Sequence, residues 1–419
     1  MRSCDQHQPA PAAGDSQLLR TSSQTVQAQI GAEQANGESM TAIGIGGMGA
    51  VSGYGWGREA LWDGLLSGKS AARLTDFGSD LGLAWAASVP PGGDPKDGPS
   101  RFMRAMRAAA REAVQDAKER GWVPGPRVGL LHAVVLGESD SWREFYLEEG
   151  GRRKVRDYLT LMPSTPMSML MQEFGFHGPA MNVSAMCASG NAGFVTAQAW
   201  LDAGIVTDVL LVATDLSLTP ENVRHFRDLG VAILDQEPAQ ACRPFQEGSS
   251  GFLLAEASVG FVLSNSVAHP YARYLGGALS HDAHHVTSID PKLDQVRWCF
   301  EQALRAAGVR GDEVAYLNAH GPGTLQCDRT EAAMLEELLS PAAKVFSVKP
   351  LAGHCQAAAA TVEIAASALA YERGVIPAAP IVSAAHRQLL DGATERRPGP
   401  TVKSSLGMGG HNSVIVLDS

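Results

Sequence analysis

Short continuous apolar runs alternate with amphipathic stretches along most of the chain. A run of strand length at Val128–Leu136, for example, follows a long amphipathic stretch rich in Ala, Arg and Glu at Arg101–Arg120. Strands that are apolar on both faces and are separated by helices are typical of parallel sheets covered on both sides. The pattern therefore predicts an α/β fold.

The predicted elements form two successive series. We expect helices at Arg58–Leu66, Arg101–Arg120, Leu161–Phe174, Ala188–Ala203, Leu293–Ala307, Thr330–Leu339 and Cys355–Glu372. We expect strands at 41–46, Val128–Leu136, Ala180–Met186, Val209–Val212, Gly251–Leu263, Val314–Leu317, Lys344–Val348, Lys403–Leu406 and Ser413–Leu417. The series restarts after about Ser264, so we predict two α/β halves, at residues 40–264 and 265–419, in a layered architecture.

The first 39 residues differ in composition from the rest of the chain. They are rich in Gln, Ala, Ser and Pro and contain few large apolar residues, which predicts a disordered tail at residues 1–39. The whole chain is 45% hydrophobic and 19% charged, values that are ordinary for a globular enzyme.

Composition also argues against several classes of protein. The chain has no apolar run long enough for a membrane span, and its N-terminus lacks the basic stretch and apolar core of a secretory signal. A net charge of −10 disfavours nonspecific binding to nucleic acid. The six cysteines include no Cys-x-x-Cys pair, so we expect reduced thiols, no zinc site and a cytoplasmic location.

Cys187 lies where a predicted strand turns directly into a predicted helix. The small residues Ala188, Ser189 and Gly190 allow a tight turn that places the thiol at the helix N-terminus. Unpaired backbone N–H groups and the helix dipole favour the thiolate there and can bind an acyl oxygen. The glycine-rich segment 407–410 offers a second N–H donor or is an ordinary β-turn. A single cysteine is more often inert core, so the remaining motifs decide between nucleophile and core.

Two histidines follow predicted strands far downstream of this cysteine. His320 comes after the strand at Val314–Leu317, and His354 comes after the strand at Lys344–Val348. Open α/β sheets place ligands at the carboxyl ends of their strands. Neutral imidazoles there can donate hydrogen bonds to a thioester carbonyl that becomes an enolate, or can act as general acids and bases. Neither motif contains a carboxylate or third ligand, so we predict no metal site.

The order of these motifs resembles the β-ketoacyl synthases of the thiolase-like superfamily, most closely the discrete type II enzymes. The resemblance covers the chain from about residue 41 to its C-terminus and implies a thiolase-like fold with layers in the order α-β-α-β-α. The motifs that carry it are Val183-Ser-Ala-Met-Cys187-Ala-Ser-Gly190, Arg243-Pro-Phe245, Asp282-Ala-His-His-Val-Thr287, Asn318-Ala-His320-Gly-Pro-Gly-Thr324, Lys349-Pro-Leu-Ala-Gly-His354 and Gly407-Met-Gly-Gly410.

The resemblance implies an acyltransferase that carries out decarboxylative Claisen condensation in polyketide or specialised fatty-acid biosynthesis. Cys187 would take the acyl group from a carrier-bound thioester. His320 and His354 would then promote decarboxylation of a malonyl thioester and stabilise the enolate. The backbone N–H groups of Cys187 and Met408 would form the oxyanion hole.

Further roles follow from the same resemblance. Lys349 would order the histidine loops, with Glu331 as its ion-pair partner. Thr324 and Thr287 would contact the pantetheine arm of the carrier, although a threonine near a turn is more often a simple cap. Leu406 would belong to the gate over the cysteine.

Several residues depart from the family pattern. Pro322 takes the place of a threonine, Leu406 and Met408 take the places of phenylalanines, and His411 takes the place of another threonine. These differences favour an unusual acyl chain or an altered reaction. They motivate one alternative, an acyltransferase or cyclase that uses acyl-Cys187 without elongation. A second alternative is a catalytically weak partner subunit, although such partners typically lack the cysteine that is present here as Cys187. The absence of a second cysteine in residues 404–412 disfavours a degradative thiolase.

The resemblance also implies particular partners. An acyl carrier protein would deliver both substrates on its phosphopantetheine, and no other cofactor is expected. The chain would form a homodimer, or a heterodimer with a related ketosynthase-like subunit, and would bind neither nucleic acid nor membrane.

Overall fold

The computed structural model describes residues 42–78, 80–147 and 155–419. The disordered tail predicted at 1–39 lies outside the described residues. The described part contains fifteen strands and twelve α-helices. No helix within it has both the length and the apolar character that a membrane span needs.

Strands and helices alternate along the described chain. The strands are β1 Ile43–Ser52, β2 Gly55–Trp56, β3 Arg73–Asp76, β4 Leu83–Ala86, β5 Val128–Ala133, β6 Ala180–Val183, β7 Asp208–Asp215, β8 Ala257–Ser264, β9 Arg273–His281, β10 Tyr316–Asn318, β11 Lys344–Phe346, β12 Val375–Pro377, β13 Ala393–Glu395, β14 Thr401–Gly407 and β15 His411–Asp418. The helices are α1 Arg58–Leu66, α2 Arg101–Glu119, α3 Ser139–Leu147, α4 Val155–Thr160, α5 Thr165–Phe174, α6 Ser189–Asp202, α7 Pro220–Asp228, α8 Pro238–Ala241, α9 Asp294–Ala307, α10 Leu325–Leu338, α11 Lys349–Ala352 and α12 Ala359–Arg373.

Ten of the eleven strands of the large sheet form two sets of five with the same internal order, and the short β2 pairs with β1. The first set runs β6-β5-β7-β8-β1 and the second runs β11-β10-β14-β15-β9. In each set the first three strands are parallel, and the next two strands pair antiparallel. A short pairing of β1 with β9 joins the sets. The fold is therefore duplicated, and we keep the domain division at 264/265, between β8 and β9, as a proposal.

Helices cover both faces of each strand set. Leu211 of β7 and Ile415 of β15 belong to a central apolar cluster that also contains residues of α6 and α12. The neighbouring Leu210 and Val414 instead face two separate clusters, one built on α2 and the other on α9 and α10. Alternate side chains thus face opposite layers, as expected for strands buried on both sides. This arrangement confirms the predicted α-β-α-β-α layering.

Most predicted elements are present, with differences at their ends. The strand predicted at Gly251–Leu263 begins at Ala257, because residues 251–256 make only isolated bridges to other loops. Strand β9 was not predicted, because Gly276 and Gly277 interrupt the apolar pattern of its sequence. Strand β3 is largely exposed, whereas Ala84 and Ala86 of its hairpin partner β4 are buried, and neither strand alternates apolar with polar residues.

Helix α2 packs unusually close to the sheet. A Cβ atom on Gly49 of β1 would lie 2.2 Å from the carbonyl oxygen of Ala109 and 2.7 Å from the backbone nitrogen of Ala113, both on α2. Because these neighbours are backbone atoms of a helix, they cannot rotate away. The glycine is therefore required for contact between helix and strand.

We expect Gly49→Ala to lower the free energy of unfolding by at least about 2 kcal/mol, since overpacking forces backbone shifts. Chemical denaturation followed by circular dichroism measures the change. Gly204→Asn is the matched control, because Gly204 has φ 64° with no atom near its missing Cβ, and asparagine tolerates that backbone. Equal effects of the two substitutions would contradict the packing argument.

Candidate active site

The nucleophile candidate Cys187 lies on a strained turn between β6 and α6. Met186, immediately before it, has a positive φ of 49°, which is unusual for a residue with a long side chain. The Ser189 hydroxyl donates to the carbonyl of Met186 (2.6 Å) and accepts from the N–H of Ala185 (2.9 Å). Ser189 therefore stabilises the turn, and Cys187 is buried at the N-terminal end of α6.

The two histidines lie on turns that only glycine permits. His320 follows β10, and a Cβ on the next residue, Gly321 (φ 43°), would lie 2.7 Å from the Cβ of Ser347. His354 follows Gly353 (φ 78°), where a Cβ would lie 2.5 Å from the Cβ of Ala255. The backbone beside each histidine is thus in close contact with a neighbouring segment, and this contact fixes the position of the histidine.

The structure brings the three predicted residues together. One side-chain atom from each of Cys187, His320 and His354 lies within 4.8 Å of the other two. The two imidazole rings meet edge to face, with 5.5 Å between their centroids. Phe252 also packs against His354, at 4.6 Å between ring centroids.

Hydrogen bonds assign the same tautomer to both imidazoles. Nδ1 of His354 accepts the backbone N–H of Gln356 (3.0 Å), and Nδ1 of His320 faces the Lys349 ammonium (3.2 Å). Burial, together with the Lys349 charge, holds the pKa of each histidine well below its usual value. Both rings are therefore neutral near pH 7 and carry their proton on Nε2, where it is available as a hydrogen-bond donor.

The same hydrogen bonds bear on metal binding. Cys187, His320 and His354 offer three candidate ligand atoms, a set that suits zinc by residue type. A metal on Nε2 would move the proton to Nδ1, and ligating histidines normally donate that proton to an acceptor. Here both Nδ1 atoms face donors, so the surroundings oppose metal binding. The predicted absence of a metal stays a prediction.

Four buried charges lie beside the histidines. The Glu363 carboxylate pairs with the Lys349 ammonium through Oε1 and with the Lys403 ammonium through Oε2 at 2.7 Å. Lys349 also donates to the backbone carbonyl of His320. The predicted ion pair between Lys349 and Glu331 is therefore wrong, because the fold brings Glu363 of α12 to the lysine instead.

Glu331 has a different role from the predicted one. Its carboxylate accepts the backbone N–H groups of His320 (2.7 Å) and Gly321 (2.8 Å) and the hydroxyl of Ser404 (2.5 Å). Burial outweighs these hydrogen bonds and the charge of Lys403, so the pKa of Glu331 is raised above its usual value. Glu331 thus holds the loop that carries His320 against β14.

The glycine-rich loop reaches the Cys187 turn, as predicted. A Cβ on Gly407 would lie 2.9 Å from the carbonyl oxygen of Ala185 and 3.3 Å from the nitrogen of Cys187. Burial outweighs the Lys349 charge and the backbone N–H groups of Met408 and Cys187, so that the pKa of Cys187 is raised to about 11. Burial therefore opposes the thiolate that the helix terminus is expected to favour.

The thiol and both imidazoles line one cavity of about 270 Å³. The predicted contact residues Thr287, Thr324 and Leu406 line it, together with Cys187 and both histidines. Sequence reasoning missed Cys327, Leu229, Val231 and Phe252, which line it too. The cavity has the mixed character of a thioester site, with apolar walls and few polar groups.

Comparison with known proteins identifies the family. The Beta-ketoacyl synthase N-terminal domain matches residues 95–268, and the Beta-ketoacyl synthase C-terminal domain matches residues 271–382. The ketoacyl synthase alpha subunit of the tetracenomycin polyketide synthase from Streptomyces glaucescens is 30% identical, over 89% of this chain and 96% of that protein. The chain belongs to the β-ketoacyl synthase family, which confirms the predicted family and the acyltransferase class.

Two further relatives agree with this assignment. A chloroplastic 3-oxoacyl-(acyl-carrier-protein) synthase I from Arabidopsis thaliana is 27% identical, over 90% of this chain and 86% of that protein. The solved structure of the ishigamide ketosynthase/chain length factor superposes with a TM-score of 0.79 at 25% identity, over 91% of this chain and 99% of that one. The similarity therefore extends over both strand sets.

The raised pKa of Cys187 predicts how the thiol reacts with iodoacetamide. Because the thiolate is the reactive form, the alkylation rate should rise about tenfold per pH unit from pH 7 to 9, without a plateau. Mass spectrometry of the Cys187 peptide measures the rate, and Cys187→Ser identifies the background. A plateau below pH 8 would show that the helix terminus outweighs burial.

Removing the Glu331 charge should loosen the His320 loop. We expect Glu331→Gln to lower kcat for condensation at least about tenfold, because an amide replaces one acceptor oxygen with a donor that faces N–H groups. Acylation of Cys187 should change little. Glu336→Gln, at an exposed position of the same helix, is the control. Equal kcat values for the two variants would contradict the role of Glu331.

Proposed function

We propose that the chain is a decarboxylative β-ketoacyl synthase of polyketide or specialised fatty-acid biosynthesis. The observation that carries the proposal is a buried thiol that shares one cavity with two neutral imidazoles whose Nε2–H groups are donors. A thiol provides the covalent site for an acyl chain, and paired donors stabilise an enolate oxygen.

In the first step Cys187 takes the acyl group from a carrier thioester. The sulfur attacks the thioester carbonyl, and the backbone N–H groups of Cys187 and Met408 stabilise the oxyanion. The carrier sulfur leaves and takes up the proton that the Cys187 thiol gives away. A thiol with a raised pKa is compatible with this exchange, because one thioester replaces another and no net proton is released.

In the second step a malonyl thioester occupies the same cavity. Its carboxylate leaves as carbon dioxide, and the electron pair of the broken bond forms an enolate. The Nε2–H groups of His320 and His354 donate to the enolate oxygen, which lowers the barrier. The enolate carbon then attacks the acyl carbonyl on Cys187, and the bond between that carbonyl and the Cys187 sulfur breaks. The sulfur leaves as a thiolate and takes up a proton from solvent, and the carrier-bound product is two carbons longer.

The partners in the proposal come from the relatives. The Arabidopsis relative is named for an acyl carrier protein, so we assign delivery of both substrates to the phosphopantetheine of such a carrier, with Thr287 and Thr324 contacting the arm. The ishigamide structure contains a chain length factor, which supports a heterodimer, with a homodimer as the other arrangement. The reaction as written uses no other cofactor.

We place the protein in the cytoplasm. The thiols of the described residues support this location, since none of them forms a disulfide, whereas the Arabidopsis relative is chloroplastic. Leu406 and Met408 stand where the family pattern has phenylalanines, so the loop beside Cys187 carries flexible aliphatic side chains instead of aromatic rings. We propose that the acyl chain is one that fits against such side chains. Pro322, which also lines the cavity, removes a donor from its wall.

An acyltransferase or cyclase without elongation is not favoured. Such an enzyme needs the thiol and an oxyanion hole, but it forms no enolate. Two imidazoles that are both held as Nε2–H donors would therefore have no enolate oxygen to stabilise. A degradative thiolase is also disfavoured, as the sequence predicts, because the segment from Ser404 to Asn412 supplies no second cysteine.

We expect the wild-type protein to yield a carrier-bound product one ketide longer from acyl- and malonyl-loaded carriers. Cys187→Ala should yield none, because it has no covalent site. Cys299→Ala is the matched control, since Cys299 is also buried but packs in the cluster around α9, outside the cavity. Intact mass spectrometry of protein and carrier reads both results.

Two outcomes would contradict the proposal. Acylated Cys187 without a longer chain would favour transfer or cyclisation. A longer chain formed by Cys187→Ala would remove the thiol from the mechanism.

A further inference from the structure

Lys403 is a fully buried lysine that the reaction steps above do not use. It lies on β14, four residues before Gly407, and its side chain is 0% exposed. Lysine is almost never buried to this degree unless its charge is paired. The ammonium is paired with the Glu363 carboxylate at 2.7 Å, donates to the Ser404 carbonyl and approaches the Ser405 hydroxyl at 3.3 Å.

The backbone of Lys403 connects the same strand to the Cys187 turn. Its carbonyl oxygen accepts a hydrogen bond from the Asn191 side chain (3.1 Å), and Asn191 lies in the first turn of α6. The next residue, Ser404, contacts Glu331 (2.5 Å) and the backbone N–H of His320 (3.3 Å). Lys403 therefore lies where β14, which leads into the glycine-rich loop, meets both the Cys187 turn and the His320 loop.

The Glu363 carboxylate is shared between two lysines. The Lys349 ammonium donates to Oε1 and also contacts Nδ1 of His320, whereas the Lys403 ammonium pairs with Oε2. Without Lys403, the full carboxylate charge would act on Lys349 alone and draw its ammonium away from the His320 ring. In a buried site such a charge imbalance is weakly screened.

We propose that Lys403 is a positioning residue for the condensation, balancing the Glu363 carboxylate so that the Lys349 ammonium stays against Nδ1 of His320. The inference rests on the proposed function, because it assigns Lys403 to the enolate-forming step. It assigns no role to Lys403 in the acylation of Cys187.

The charge of Lys403 has a second, measurable effect. Its positive charge acts on both imidazoles and contributes to the lowered pKa of His320 and of His354. The neutral rings are the active forms, so activity is lost as pH falls through these pKa values. Removing Lys403 raises them, and the acid limb of the rate profile moves to higher pH.

The test compares Lys403→Met, Glu363→Gln and the double variant with the wild type. For Lys403→Met we expect kcat for condensation to fall at least about tenfold, with KM for the carriers and the rate of Cys187 acylation within about threefold of wild type. The acid limb of its pH profile should shift upward. In the double variant, the neutral amide at position 363 no longer draws the Lys349 ammonium away, so kcat should recover by several-fold relative to Lys403→Met.

Melting temperatures separate positioning from stability. Recovery of the melting temperature in the double variant without recovery of kcat would overturn the inference. A folded Lys403→Met variant with wild-type kcat and pH profile would overturn it as well. If Lys403→Met does not fold, Lys403→Gln and the double variant decide the question by the same readouts.

Elongation by the wild-type protein separates failure of the positioning role from failure of the proposed function. Elongation by the wild type together with an unaffected, folded Lys403 variant would overturn only the positioning role. Absence of elongation by the wild type would overturn the proposed function and the inference that rests on it.

Discussion

The active site depends on a buried cluster of two carboxylates and two ammonium groups, Glu331, Lys349, Glu363 and Lys403. Their charges cancel, and each group is held by others or by backbone dipoles. Buried ion pairs add little to stability compared with apolar residues of similar size, whereas losing one partner is costly. The cluster is therefore best explained by its position, since it joins α12, β14 and both histidine loops at one point.

The internal duplication explains how these segments reach the same place. Cys187 lies between β6 and α6, and His354 lies between β11 and α12, so the two residues occupy corresponding connections of the two strand sets. Helices α6 and α12 touch where a Cβ on Gly190 would lie 2.9 Å from Thr361. The close contact brings the two helix beginnings together, and with them the nucleophile and one donor.

The sequence predicted the alternation of strands and helices and the three central residues, because strand ends and glycine turns are local features, whereas the order of the layers came from the family resemblance. It was not sufficient for the charge partners. Lys349 is separated from Glu331 and Glu363 by similar lengths of chain, and only tertiary packing decides which carboxylate it meets. Glu363 and Lys403 do carry a signal, since each is a single charge within a segment of otherwise small or apolar residues.

The segment from Lys403 to Met408 combines residues that hold the charge cluster with residues that line the cavity. Residues 403–405 hold the charge cluster and the His320 loop, whereas Leu406 and Met408, a few residues later, face the cavity. Changes in the later part alter the space for a growing chain, but changes in the earlier part disturb the chemistry itself. Substitution of Leu406 or Met408 would therefore change the space beside Cys187 and leave the contacts of Lys403 and Ser404 in place.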